Sequence, residues 1–136
     1  MGGWVCLKAL GELPEVTKGF ALSLWDIYGD FKNAHTEEEI MKMTEGFESF
    51  VLNATPREIF TPIVKKRDYF NLINDAKALS NKQIIMLDEH TGNKLITDAI
   101  KKENKSYFDY KVWQTDHPFT NKRVALIKLV LWFLNK

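Results

Sequence analysis

The stretch KQIIMLDEHTGNKLIT, residues 82–97, decides the fold. Ile84, Ile85, Met86 and Leu87 form a short apolar run of strand length. Asp88 to Asn93 is a turn cluster around Thr91-Gly92, and Leu95 and Ile96 resume the apolar character after Lys94. Two apolar runs separated by such a cluster predict a β-hairpin with Gly92 at positive φ. Downstream, Tyr107 to Trp113 alternates, with Phe108, Tyr110 and Val112 on one face and Asp109 and Lys111 on the other, the pattern of a half-buried strand. The last segment, Lys122 to Asn135, is dense in Val, Ile, Leu, Trp and Phe. Periodicity leaves helix and strand open there, and the reading taken is a strand running into a C-terminal turn.

Upstream of residue 82 the spacing is helical. Gly2 to Leu10 is read as a short strand through Trp4 and Leu7, ended by Gly11. From Pro14, the positions Val16, Phe20, Leu24, Ile27 and Phe31 recur every three or four residues and predict one helix. Thr36 stands three residues before Glu39, a capping box that opens a second helix with Glu37, Glu38 and Glu39 in its first turn. Its apolar face runs through Ile40, Met43, Phe47, Phe50 and Val51. Thr55-Pro56 and Thr61-Pro62 each read as an N-cap followed by proline, predicting a short helical turn and then a helix to Leu79.

The expected architecture is therefore α+β, a helical N-terminal half packed on a small, mostly antiparallel sheet formed by the C-terminal half. At 136 residues, 45% hydrophobic, the chain suits a single compact domain over residues 1–136. Cys6 has no partner, which excludes a disulfide framework and a multi-cysteine zinc site. The N-terminal stretch lacks a secretory pattern, and the longest apolar run, Val124 to Leu134, is about half a membrane span and contains Lys128. The expectation is a cytoplasmic protein that uses no membrane.

The 19 cations and 18 anions nearly cancel, but residues 1–64 carry a net −5 and residues 65–136 a net +6. Sixteen of the cations are Lys, a poor composition for bidentate reading of bases or phosphates. The seven glycines have no phosphate-cradling spacing, and none of Ser23, Ser49, Ser80 and Ser106 lies in a nucleophile elbow. His90 follows Asp88 and Glu89, and His117 follows Asp116. If those loops converge, Asp88, His90, Asp116 and His117 suit a metal-assisted hydrolase or nuclease, with Lys94 or Lys122 on a phosphate.

Three helices followed by a hairpin also match the order of a winged helix, but three glutamates opening one helix would repel phosphate. The stretch from Ile84 through Gly92 to Trp113 and the last apolar segment resembles the sheet half of a PAS or Cache type domain, over about half the chain and without a diagnostic motif. That resemblance implies a small-molecule sensor.

The sequence thus points to a non-catalytic binding or regulatory protein acting through a protein partner, an inhibitor or immunity-like module of phage-like size and composition, with no cofactor. Glu37, Glu38 and Glu39 form the first candidate contact patch. Lys94, Lys101, Lys102 and Lys105 form the second, which equally suits the alternative of nucleic-acid binding.

Overall fold

The structure, a computed structural model, describes residues 2–47 and 53–136. In chain order its elements are α1 (Gly2–Glu12), β1 (Lys18–Leu22), α2 (Ile27–Phe31), α3 (Glu37–Met43), α4 (Pro56–Lys65) and α5 (Arg67–Phe70). They are followed by β2 (Gln83–Asp88), α6 (Lys94–Glu103), β3 (Tyr107–Val112) and, after a short 3-10 turn, α7 (Arg123–Leu134). The chain forms two compact units, one from residues 1–25 and 75–136, the other from residues 26–74.

The α+β expectation meets a correction in the sheet. Its three strands are all parallel, in the order β1-β2-β3, with Lys18 opposite Gln83 and Gln83 opposite Tyr107. A parallel neighbour requires a crossover, which a hairpin cannot supply. Accordingly the hairpin expected over residues 84–97 is a strand followed by a helix, with Ile96, Thr97 and Ile100 buried at helical spacing and Leu95 turned to solvent. Gly92 does not have positive φ; among the described residues that conformation belongs to Ser23, Gly46 and Phe119. The correction also removes the wing of a winged helix and the hairpin on which the PAS or Cache resemblance rested.

Central β2 buries Ile84 to Leu87 completely, as expected of a parallel strand covered on both faces. Strand alternation puts Gly19, Ala21, Ile84, Met86, Phe108 and Tyr110 on one face. Helix α1, expected as a strand, packs there through Leu7 and Leu10, so closely that a Cβ on Gly19 would lie 2.7 Å from Leu10 Cδ2. Gly3 approaches the sheet in the same way, since its Cβ would fall 2.6 Å from the Leu22 carbonyl oxygen. On the opposite face, Phe133 of α7 meets Phe20 and Tyr107 with ring centroids 6.0 and 6.2 Å apart. The last apolar segment is therefore helix, not strand.

Strand β1 arises from residues whose spacing predicted a helix from Pro14 to Phe31. Lys82 fixes its entry, donating from Nζ to the carbonyls of Leu13, Pro14 and Val16, while Gln83 N–H bonds the Thr17 carbonyl. Lys8 is buried and bound to both oxygens of Asp75 at 3.1 and 3.0 Å.

The second unit is helical. The capping box expected at Thr36 with Glu39 is present, and Thr55, expected as an N-cap, forms a second one with Glu58. Helix α4 runs through Pro62 to Lys65, so Thr61-Pro62 opens no separate helix, and residues 71–82 are turns. The Arg67 guanidinium holds the carbonyls of Phe31, Lys32 and Ala34 at and after the end of α2. Phe60 packs with Phe31 and Phe47 at 5.8 and 4.8 Å over buried Ile40 and Ile63. Phe50 and Val51 of the expected apolar face lie outside the described residues.

Candidate functional site

In a parallel sheet the strand carboxyl ends leave the loops from which sites are built. Three side chains meet at that edge here. Ser23 follows β1 and donates to Glu89 Oε2 at 2.8 Å; Glu89 follows β2; and His117, beyond β3, places Nδ1 2.7 Å from Glu89 Oε1. Burial raises the Glu89 carboxyl, but the bonds from His117, its own backbone N–H and Ser23 together outweigh burial and hold it below the usual carboxylate range. Beneath it, fully buried Asp88 accepts Leu24 N–H and Asn93 Nδ2–H, each at 2.8 Å, and Asn93 also donates to the Leu24 carbonyl. Burial, then the Asp88 charge, pushes Tyr110 up to about 12, so its hydroxyl stays a donor, to the His90 carbonyl at 3.2 Å.

The order of this chain limits its chemistry. Glu89 separates Ser23 from His117, so the imidazole is not the base that takes the serine proton in nucleophilic catalysis. The amides that would stabilise an oxyanion beside Ser23 are occupied, Ser23 N–H by the Leu87 carbonyl and Leu24 N–H by Asp88. The geometry fits a clasp that joins the loops after all three strands.

The loops of His90 and His117 meet through Glu89, but the residues proposed for metal or hydrolytic work have other partners. Asp88 is spent on Leu24 and Asn93, exposed His90 accepts Gly92 N–H, and Asp116 accepts Thr120 N–H at 2.6 Å. Among the described residues no group of three or more His, Cys, Asp or Glu is placed to hold a metal. The sequence missed Glu89 as the partner of His117 and Ser23 as the second partner of Glu89, because the register that aligns these loops comes from the parallel pairing. Ser23 carries one local sign, its φ of 47°.

The candidate contact residues are distributed differently. Glu37 receives Lys65 at 2.8 Å and Arg57 at 2.9 Å, and these cations hold its carboxyl below the usual range, Lys65 foremost. Glu39 is held low by the backbone N–H groups of His35 and Thr36 in the capping box, while Glu38 faces solvent. Lys94 pairs with Asp98 at 2.9 Å, and Lys101, Lys102 and Lys105 are exposed in and after the last turn of α6.

Helix α7 exposes an apolar stripe. Val124, Ile127, Leu131 and Leu134 are 69%, 58%, 54% and 59% exposed, and their 3-4-3 spacing places them on one outward stripe. Trp132, half exposed, flanks them. The other side of the helix is tied down by Phe133, by Lys18 Nζ on the Leu134 carbonyl at 3.3 Å, and by Lys136 Nζ 3.1 Å above the Tyr107 ring. Among the described residues no helix is long and apolar enough to cross a membrane. Comparison with known protein families, curated proteins and solved structures finds no match to this chain.

Proposed function

We propose that this chain is a non-catalytic binding protein that acts through a protein partner docked on the outward stripe of α7, as an inhibitor or immunity-like module does. One observation carries the reading: four aliphatic side chains at heptad spacing stand in water on a helix whose opposite face is already packed. With Trp132 the stripe leaves on the order of 500 Å² of apolar surface exposed, near the top of the roughly 300–600 Å² reached by the largest patch on a typical monomer. Lys122, Arg123 and Lys128 lie on or beside the helix with no Asp or Glu among residues 122–136, which favours a partner with acidic surroundings.

The test is capture from lysate of the source organism by the tagged chain and, in parallel, by the Ile127→Asp/Leu131→Asp variant, with and without nuclease. One protein kept in stoichiometric amount after nuclease and lost with the variant supports the reading. Equal capture by both chains overturns it. Material that vanishes with nuclease transfers the function to Lys94, Lys101, Lys102 and Lys105 and their attraction for polyanions.

A further inference from the structure

We infer that the partner element seated on α7 is an amphipathic helix whose apolar seam is bordered by carboxylates; this rests on α7 being the docking surface.

The shape argument comes from the stripe itself. Val124, Ile127, Leu131 and Leu134 occupy the alternating three and four spacing of a coiled-coil seam, over slightly less than two heptads. Such a seam is complementary to the i, i+3, i+7 anchors of a second helix.

Charge decides what borders that helix. Arg123 stands on one side of the seam and Lys128 on the other, the positions that select a partner's flanking charges in paired helices. The start of α7 adds a second, independent feature. Its N-cap, Lys122, makes no side-chain capping bond, and the first turn holds no acidic residue. An open cleft there is lined by Thr120, Asn121, Lys122, Arg123, Val124 and Lys128. Cations at a helix N-terminus oppose the helix dipole, and a partner carboxylate seated in the cleft relieves both the dipole and the cations.

A second copy of this chain fits less well. Arg123 and Lys128 border the seam on its two sides, so two α7 helices brought face to face set like charges together. A lipid surface fits less well again. Interfacial helices keep a strongly polar face opposite the apolar one, whereas α7 buries Phe133 there and folds Lys136 back onto Tyr107.

The experiment uses the full chain and three synthetic helical peptides of three heptads. One has Leu in the seam with Glu at the flanking positions, one has Leu with Lys at those positions, and one has the Glu composition with its seam scrambled. Fluorescence anisotropy at physiological salt is expected to show the Glu-flanked peptide binding about tenfold or more tighter than the Lys-flanked one. It should also show no binding of the scrambled peptide. The Arg123→Glu/Lys128→Glu variant is expected to reverse the preference, a readout that misfolding cannot produce. Equal binding of the two charged peptides overturns the inference. So does stronger binding to phosphatidylcholine–phosphatidylserine vesicles, or self-association in sedimentation velocity that the Ile127→Asp/Leu131→Asp variant abolishes. If that variant loses the captured protein while the peptides show no charge preference, the docking surface stands and its acidic helical occupant does not.

Discussion

Asp88, the last residue of β2, accepts the backbone N–H of Leu24 at 2.8 Å, although the two lie 64 residues apart in the chain. This bond fixes the loop after β1 against the end of the neighbouring strand. Asn93 completes the arrangement by donating to Asp88 and to the Leu24 carbonyl. Asp88→Ala leaves the Leu24 N–H and the Asn93 amide facing a dry gap. The expected loss is about 3 kcal/mol, from two orphaned donors and a bond to a charged acceptor. Urea unfolding of the two proteins measures it, and a loss under about 1 kcal/mol would show that water replaces the carboxylate.

Ser23 separates backbone strain from hydrogen bonding. Its φ of 47° is costly for any residue with a Cβ, while its hydroxyl holds Glu89. Ser23→Ala loses the bond and keeps the strain, whereas Ser23→Gly loses the bond and removes the strain. The glycine variant is expected to be more stable than the alanine variant by about 1 kcal/mol. Equal midpoints in thermal unfolding would place the left-handed conformation outside the energetics of this loop.

Glu89 carries a pH dependence whose sign follows from its lowered pKa. A carboxyl lower in the folded than in the unfolded chain contributes stability that is present above its ordinary value of 4.5 and lost as pH falls through the folded value. Glu89→Gln is therefore expected to destabilise the protein at pH 7 and to flatten the acid limb below about pH 4.5. Unfolding midpoints from pH 7 to pH 3 check this. Parallel acid limbs for both proteins would assign the acid response to other carboxylates.

Gly3 tests the contact of α1 with the sheet. An added Cβ would meet the Leu22 carbonyl oxygen at 2.6 Å and Leu24 Cα at 3.1 Å, both backbone atoms that cannot rotate aside. Gly3→Ala is expected to cost about 2 kcal/mol despite alanine's better helix propensity. Gly19→Ala meets side-chain atoms instead, Leu10 Cδ2 at 2.7 Å and Cys6 Sγ at 3.4 Å, and is expected to cost less. The reverse order in denaturant midpoints would show that α1 shifts freely on the sheet.

Local signals in the sequence were accurate where the chain itself closes the interaction. Thr36 with Glu39 and Thr55 with Glu58 involve residues three apart, and both capping boxes form. The apolar run Ile84 to Leu87 and the alternation after Tyr107 are strands as expected. Errors arose where a distant segment decides. Phe20 and Leu24 fit a helical stripe, yet the edge of β2 draws Lys18 to Leu22 into the sheet, where Gly19 and Ala21 are small enough to admit α1. Asn93 resembled a turn residue because its side-chain partners, Asp88 and Leu24, are assembled only by the fold. His117 stood out in the sequence, but its partner Glu89 lies 28 residues away on a loop that only the parallel register brings near.

The separation of the strands in the chain also imposes an order in time. β2 and β3 pair residues about 24 apart through α6, whereas β1 pairs with β2 across about 65 residues, which adds only about 1 kcal/mol of closure entropy but lengthens the search. The segment Gln83 to Val112 is thus the one equipped to organise first, with β1 recruited afterwards onto an edge already formed. Pulse-labelled hydrogen exchange would then protect the β2–β3 amides of Ile84 to Leu87 and Phe108 to Tyr110 before those of β1. Such a sequence leaves the β1 edge of β2, a row of unpaired backbone N–H and C=O groups, exposed during folding, the interval in which this chain is most prone to join the wrong neighbour.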